Sequence, residues 1–290
     1  MHFPSTVRAL AAALLSLAIV VPAAQAETAV VQSAQAAAPL VIGETFTLPS
    51  KALGETRRLN VYTARAWDTP PDAPLPVLYM PDGGVQEDFL HVAGLLQVSV
   101  ANGTMRPFML VGIENTQRRR DLTGPTTNPE DRKIAPAVGG SQAYRAFIRD
   151  ELMPEVKRRY RTTGETAIVG ESLAGLFVVE TFLQEPTLFN HYLAFDPSLW
   201  WNRSALNSQA AASLAAHKDA LAQRSLYLAS SSEKGIAVEV QRLGQTLHDA
   251  QLPALAWTVT AMPEETHGTI YHPAALKAFR SVFKPAQPAQ

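Results

Sequence analysis

One short stretch, Gly170-Glu171-Ser172-Leu173-Ala174-Gly175, sets a hydroxyl between small residues two places before and two places after it. The β-branched, apolar run Thr166-Ala167-Ile168-Val169 leads in, and a helix-forming apolar run leads out. This approximates the strand-turn-helix nucleophile elbow G-x-S-x-G, with Ala174 in place of the final glycine. The turn is sharp, and a bulky side chain at either flanking position would collide with the neighbouring strand or helix. The hydroxyl is thereby raised at the start of a helix, where backbone N–H groups favour developing negative charge. Such an arrangement suits acyl transfer.

A serine hydroxyl attacks well only when a base removes its proton, and the base needs an acid to fix its tautomer. Three histidines lie well downstream: His248, His267 and His272. His248 falls within a helical pattern, and His272 precedes Pro273 at a helix start. His267 lies on a glycine-bearing loop after the last strand, at the same sheet edge as the elbow, and is the expected base. In chains with this elbow the acid and then the histidine follow the serine. Glu233, just beyond the strand Ser225–Ala229, fits that order and is the expected acid; Asp196, ending the preceding strand, is the alternative. Glu265 stands too near His267 in sequence and reads as a loop charge. The oxyanion needs two backbone donors: the N–H of Leu173, and one from Asp82-Gly83-Gly84, with Gly84 favoured over Gly83.

The elements that must position these groups alternate along the chain. Glu44–Pro49 and Arg57–Ala64 read as an edge hairpin. Pro76–Met80, Phe108–Ile113, Thr166–Val169, His191–Phe195, Ser225–Ala229 and Leu255–Ala261 read as buried strands. Between them Phe89–Val100, Ser141–Tyr160, Leu173–Leu183, Ser204–Leu221, Ile236–Ala250 and Ala274–Phe283 read as helices, with a kink expected at Pro154. A long polar stretch, Glu114–Gly140, is expected to be a loop. Alternating strands and helices imply a mostly parallel sheet of about eight strands with helices on both faces.

The 290 residues are 47% hydrophobic and 18% charged, with a net charge of −1, which gives no field for nucleic acid. The chain has no cysteine, so disulfides, thiol nucleophiles and thiolate metal sites are excluded. At the N-terminus, Arg8, the apolar run Ala9–Val21 and Ala24-Gln25-Ala26 form the pattern of a secretory signal peptide, residues 1–26, cleaved after Ala26. Residues 27–40 read as a flexible leader and 41–285 as the catalytic domain. An exported protein, periplasmic or secreted and free of the membrane after cleavage, is expected.

Beyond the elbow, Tyr79-Met80-Pro81-Asp82-Gly83-Gly84, Val111-Gly112-Ile113-Glu114-Asn115, Arg120-Asp121-Leu122-Thr123, Pro197-Ser198-Leu199-Trp200-Trp201 and Glu265-Thr266-His267-Gly268 are present. Together these motifs resemble an esterase branch of the α/β-hydrolases, which holds enterochelin-type siderophore esterases, S-formylglutathione hydrolases, feruloyl esterases and mycolyltransferases. The resemblance runs from about Val61 to Phe283. It implies an α/β-hydrolase fold, Ser172 as nucleophile, His267 as base, Glu233 as acid, and Gly84 with Leu173 as oxyanion hole. It also implies serine-dependent hydrolysis of a small-molecule carboxylic ester, of which a siderophore is one class, with no cofactor and no metal. Acyl transfer of the mycolyltransferase kind, or a binding protein that has lost chemistry, are the other functions such a fold carries. Glu171 and Ala174 depart from the family, where histidine or glutamine, and glycine, are usual. Arg120, with Arg118 and Arg119, is a candidate contact for an anionic substrate, and Trp200 and Trp201 are candidates for an aromatic wall.

Overall fold

The computed structural model describes residues 37–285. The expected signal peptide, its expected cleavage point and most of the expected leader lie outside the described residues. Eight strands form one sheet in the order β1-β2-β4-β3-β5-β6-β7-β8. In chain order the strands are β1 (Glu44–Ser50), β2 (Glu55–Ala64), β3 (Leu75–Pro81), β4 (Phe108–Ile113), β5 (Thr162–Glu171), β6 (His191–Phe195), β7 (Ser225–Ser230) and β8 (Ala256–Ala261). β2 runs antiparallel to both β1 and β4, and every other neighbouring pair is parallel. This is the α/β-hydrolase architecture.

Period-two alternation divides each central strand between two cores. In β3, Val77 and Tyr79 join the larger cluster, and Leu78 and Met80 the smaller. Ile168 of β5 joins the larger, and Ala167 and Val169 the smaller. α1 (Phe89–Ala101) contributes Val92 and Leu96 to the smaller core, beside Ala275 and Phe279 from the C-terminal helix. Phe177, Phe182, Leu214 and Leu243 fill the larger one. With both faces covered, the strands can be apolar throughout, as their sequences are.

The expected loop Glu114–Gly140 carries two short pieces of structure, α2 (Arg118–Asp121) and a 3-10 turn at Asp131–Lys133. The expected helix Ser141–Tyr160 is divided into α3 (Ser141–Phe147), a π turn over Ile148–Leu152, and α4 (Met153–Arg159). Pro154 has no N–H for the carbonyl four residues earlier, and the wider turn lies directly before it. α5 (Leu173–Gln184) starts at the elbow. α6 (Trp201–Ala216) begins with three residues at positive φ, Asn202 to Ser204, so regular helix starts at Ala205. α7 (Lys234–Asp249) and α8 (Tyr271–Val282) complete the layers.

α2 is tied to the sheet by charge. The guanidinium of Arg57, on β2, is fully buried and donates to Asp121 at 2.6 Å, to Glu55 at 2.8 Å and to Thr116. Arg120 donates to the other oxygen of Asp121 at 2.7 Å and to Glu55 at 2.8 Å. Removing one partner of a buried pair leaves an uncompensated charge in low dielectric. Asp121→Ala is therefore expected to cost about 3–5 kcal/mol of unfolding free energy, measured by urea denaturation. A loss under about 1 kcal/mol would mean that the surface-pair regime applies here.

Candidate active site

Ser172 is placed by strain and close packing. Its backbone has φ 59° and ψ −119°, a conformation an L-residue keeps only when its surroundings enforce it. The enforcement is visible in the neighbours. A Cβ on Gly170 would come within 2.6 Å of the Ala174 carbonyl carbon, and one on Gly175 within 3.1 Å of the Phe195 oxygen. The methyl of Ala174 itself fits, because it faces the bare backbone of Gly170. The Ser172 N–H donates to Phe195 O at 3.0 Å, and Ser172 O accepts from Leu176 and Ser198. The chain is thus fixed on both sides of the hydroxyl.

The structure brings Ser172 and His267 together as expected. Ser172 Oγ lies 3.1 Å from His267 Nε2, on the loop between β8 and α8. His267 Nδ1 donates to Asp196 Oδ2 at 3.0 Å, which makes Nε2 the acceptor for the serine proton. The acid beside the histidine is therefore Asp196 and not Glu233. The register explains the correction. In β5 and β6, Glu171 pairs with Phe195, so Asp196 emerges level with Ser172 on the adjacent strand. Glu233 lies beyond the end of β7, one strand further away, where it is the N-cap residue of α7. Its carboxylate is exposed and makes no hydrogen bond to His267, which it reaches only through its charge.

Asp196 is fully buried, and φ of 41° turns its side chain back across the strand ends. Its second support was not legible beforehand: Ser231 donates its N–H to Oδ1 at 2.6 Å and its hydroxyl to Oδ2 at 2.5 Å. Ser198 is another addition, with Oγ 3.5 Å from Ser172 Oγ. The run Ser230-Ser231-Ser232 after a strand was the only hint for the first. The hydrogen bond from His267 to Asp196, reinforced by the charges of Glu171, Asp196 and Glu233, raises the imidazole pKa above its usual value against the opposing effect of burial.

The backbone donors are partly engaged. Gly83 N–H is spent on Ile113 O at 3.0 Å, which leaves Gly84 as the donor from this loop. Gly84 N–H meets Glu87 Oε2 at 2.7 Å, an anionic oxygen. Leu173 opens α5, so its N–H has no intrahelical acceptor. Arg118 grips Asp82 through two parallel hydrogen bonds of 2.7 Å, holding the loop after β3.

The other expected contacts divide. Arg120 is committed to Asp121 and Glu55, so it serves the scaffold rather than a ligand. Trp201 is buried and donates Nε1–H to Gly124 O at 2.9 Å, pinning the stretch that follows α2. Trp200 is 38% exposed and remains available as an aromatic surface. A cleft of about 470 Å³ opens among Arg118, Arg119, Ala135 and Ala137. His248 lies exposed beside Asp249, and His272 lies within α8 near His91. Glu265 accepts from Thr269 within its own loop. No cluster of metal-ligating side chains occurs among the described residues.

The family model Esterase, described as "Putative esterase", matches residues 50–275. Ferri-bacillibactin esterase BesA of Bacillus subtilis is 29% identical over 184 residues, 54% of this chain and 62% of the relative. Siderophore triacetylfusarinine C esterase of Aspergillus fumigatus is 29% identical over 192 residues, 60% of this chain and 62% of the relative. Both matches span less than two thirds of the relative's own length. Among solved structures, an IroE-like serine hydrolase from Shewanella oneidensis superposes with a TM-score of 0.74 and 26% identity, covering 83% of this chain and 80% of that one.

Glu171 is the unexpected member of the site. Burial pushes its carboxyl up from 4.5 to about 7, against the lowering effect of His267 and Arg118. A carboxyl raised in the folded state holds its proton while the unfolded chain releases it, so stability is lost as pH rises from 4.5 through about 7. Glu171→Gln is expected to raise the melting temperature more at pH 8 than at pH 5. Equal shifts at the two pH values would contradict this ionisation.

Proposed function

Because this chain belongs to the Esterase family and has the α/β-hydrolase fold, we propose that it hydrolyses carboxylic esters through Ser172, His267 and Asp196. One observation carries the reading: the continuous path from Ser172 Oγ to His267 Nε2 at 3.1 Å and from His267 Nδ1 to Asp196 Oδ2 at 3.0 Å. As Ser172 Oγ attacks the ester carbonyl, its proton passes to Nε2, and the imidazolium is held by buried Asp196. The tetrahedral oxyanion is received by the N–H groups of Leu173 and Gly84. Glu87, on an exposed turn, yields the Gly84 N–H as the substrate enters. His267 then protonates the leaving alkoxide. A water molecule, deprotonated by the same nitrogen, attacks the acyl-enzyme and releases the acid.

The substrate class we favour is a siderophore ester. The names of the two curated relatives support it, as does an exposed aromatic face at Trp200 two residues beyond Ser198. The signal-like pattern of residues 1–26 supports export, which suits a substrate met outside the cytoplasm.

The test is turnover of p-nitrophenyl acetate, butyrate and octanoate and of a ferric catecholate trilactone, with fluorophosphonate labelling. Ser172→Ala and His267→Ala are expected to abolish turnover, and Ser172→Ala to abolish labelling. Asp196→Asn is expected to lower kcat by about 10⁴-fold, as loss of the correct imidazole tautomer does elsewhere. Glu233→Gln is expected to stay near wild type. Full labelling of Ser172→Ala, or a larger loss in Glu233→Gln than in Asp196→Asn, would overturn the assignment.

A further inference from the structure

Glu171 is the last residue of β5 and pairs in register with Phe195, which sets it between the elbow and the strand that delivers Asp196. Its carboxyl turns toward the imidazole. Glu171 Oε1 lies 3.3 Å from His267 Nδ1, against 3.0 Å for Asp196 Oδ2. Nδ1 has one proton to give, and Asp196 takes it. Glu171 Oε1 is left buried with no hydrogen-bond partner among the described residues.

Four ionisable groups from four elements face this carboxyl: His267 from the loop after β8, Asp196 from the end of β6, Arg118 from α2 and Asp82 from the end of β3. Arg118 does not neutralise it directly, since Nε and Nη2 both donate to Asp82. A buried, unpaired carboxylate costs more stability than an amide of the same shape, which carries no charge. Packing alone therefore does not account for glutamate at this position. The group that gains from a negative charge here is the imidazole, because an opposite charge within about 4–6 Å favours the protonated ring.

We propose that Glu171 is a positioning residue for His267, a second carboxylate at the Nδ1 edge whose negative charge stabilises the imidazolium formed when Ser172 gives up its proton. The inference rests on the serine-esterase reading above. It gives the protein a built-in dependence on pH. Below neutrality the Glu171 carboxyl holds its proton and contributes no charge. As pH rises through about 7 it ionises, and the stabilisation of the imidazolium is switched on. Two ionisations then shape the acid side of the rate profile, that of His267 and that of Glu171.

The experiment compares kcat and KM of the purified protein on p-nitrophenyl butyrate from pH 5.5 to 9 with those of Glu171→Gln and Ser172→Ala. The ratio of wild-type to Glu171→Gln kcat is expected to be near one at pH 5.5. At pH 8 it is expected to reach about tenfold, the equivalent of one unit in the imidazole's ionisation, with KM unchanged. The acid limb of Glu171→Gln should be shallower and its midpoint lower, because the anion that raised the imidazole pKa is gone. A ratio constant across pH would assign Glu171 a purely structural role and overturn the inference, while an inactive Ser172→Ala would leave the esterase reading standing. Wild-type turnover in Ser172→Ala would instead defeat the esterase reading, and the inference with it. Should Glu171→Gln fail to fold, NMR titration of the His267 ring in the wild-type protein decides: a second inflection near pH 7 is expected, and a single inflection overturns the proposal.

Discussion

The site depends on the close approach of β5 to α5 at Ser172. A non-glycine residue at φ 59° stores about 1–3 kcal/mol, and the fold accommodates it because Gly170 and Ala174 are small enough for strand and helix to approach this closely. Phe195 O and the Ser198 N–H hold the peptide on either side. These two contacts also join the elbow to the strand that carries the acid. The hydroxyl and Asp196 are therefore located by the same backbone, and His267 has only to reach both.

Charge is distributed around this centre in two ways. The buried Arg57, Asp121 and Arg120 network and the paired Arg118 and Asp82 are scaffolding, with each cation matched to a carboxylate by short hydrogen bonds. Near His267 the balance is acidic: Asp196 is fully supported by Ser231, and Glu171 is not supported at all. A carboxylate held by hydrogen bonds on both oxygens is fixed in place and orients the ring. An unsupported one in the same low-dielectric space responds to pH. The two acids beside one imidazole thus differ in function because they differ in hydrogen bonding.

The arginine cluster illustrates how residue type misleads without partners. Three consecutive arginines on a loop make a candidate contact for an anionic ligand, yet Arg120 and Arg118 are already engaged by carboxylates remote in sequence, Glu55 and Asp82, and Arg119 alone of the three is exposed. Trp200 and Trp201 diverge for a related reason. One faces outward, and the other donates to the Gly124 carbonyl, remote in sequence.

By itself the sequence determined the strand and helix order, the mostly parallel sheet, the elbow at Ser172 and the histidine at position 267. All of these are written in local patterns: apolar runs of strand length, small residues around a hydroxyl, and a glycine-bearing loop after the last strand. The short helix at Arg118–Asp121 was less legible, since it depends on pairing with residues remote in sequence. Tertiary structure alone decided which carboxylate lies beside the histidine. Chain order favoured Glu233 over Asp196, and only the register that pairs Glu171 with Phe195 brings Asp196 level with the serine. Register follows from how whole strands pack and twist together, and no single residue encodes it.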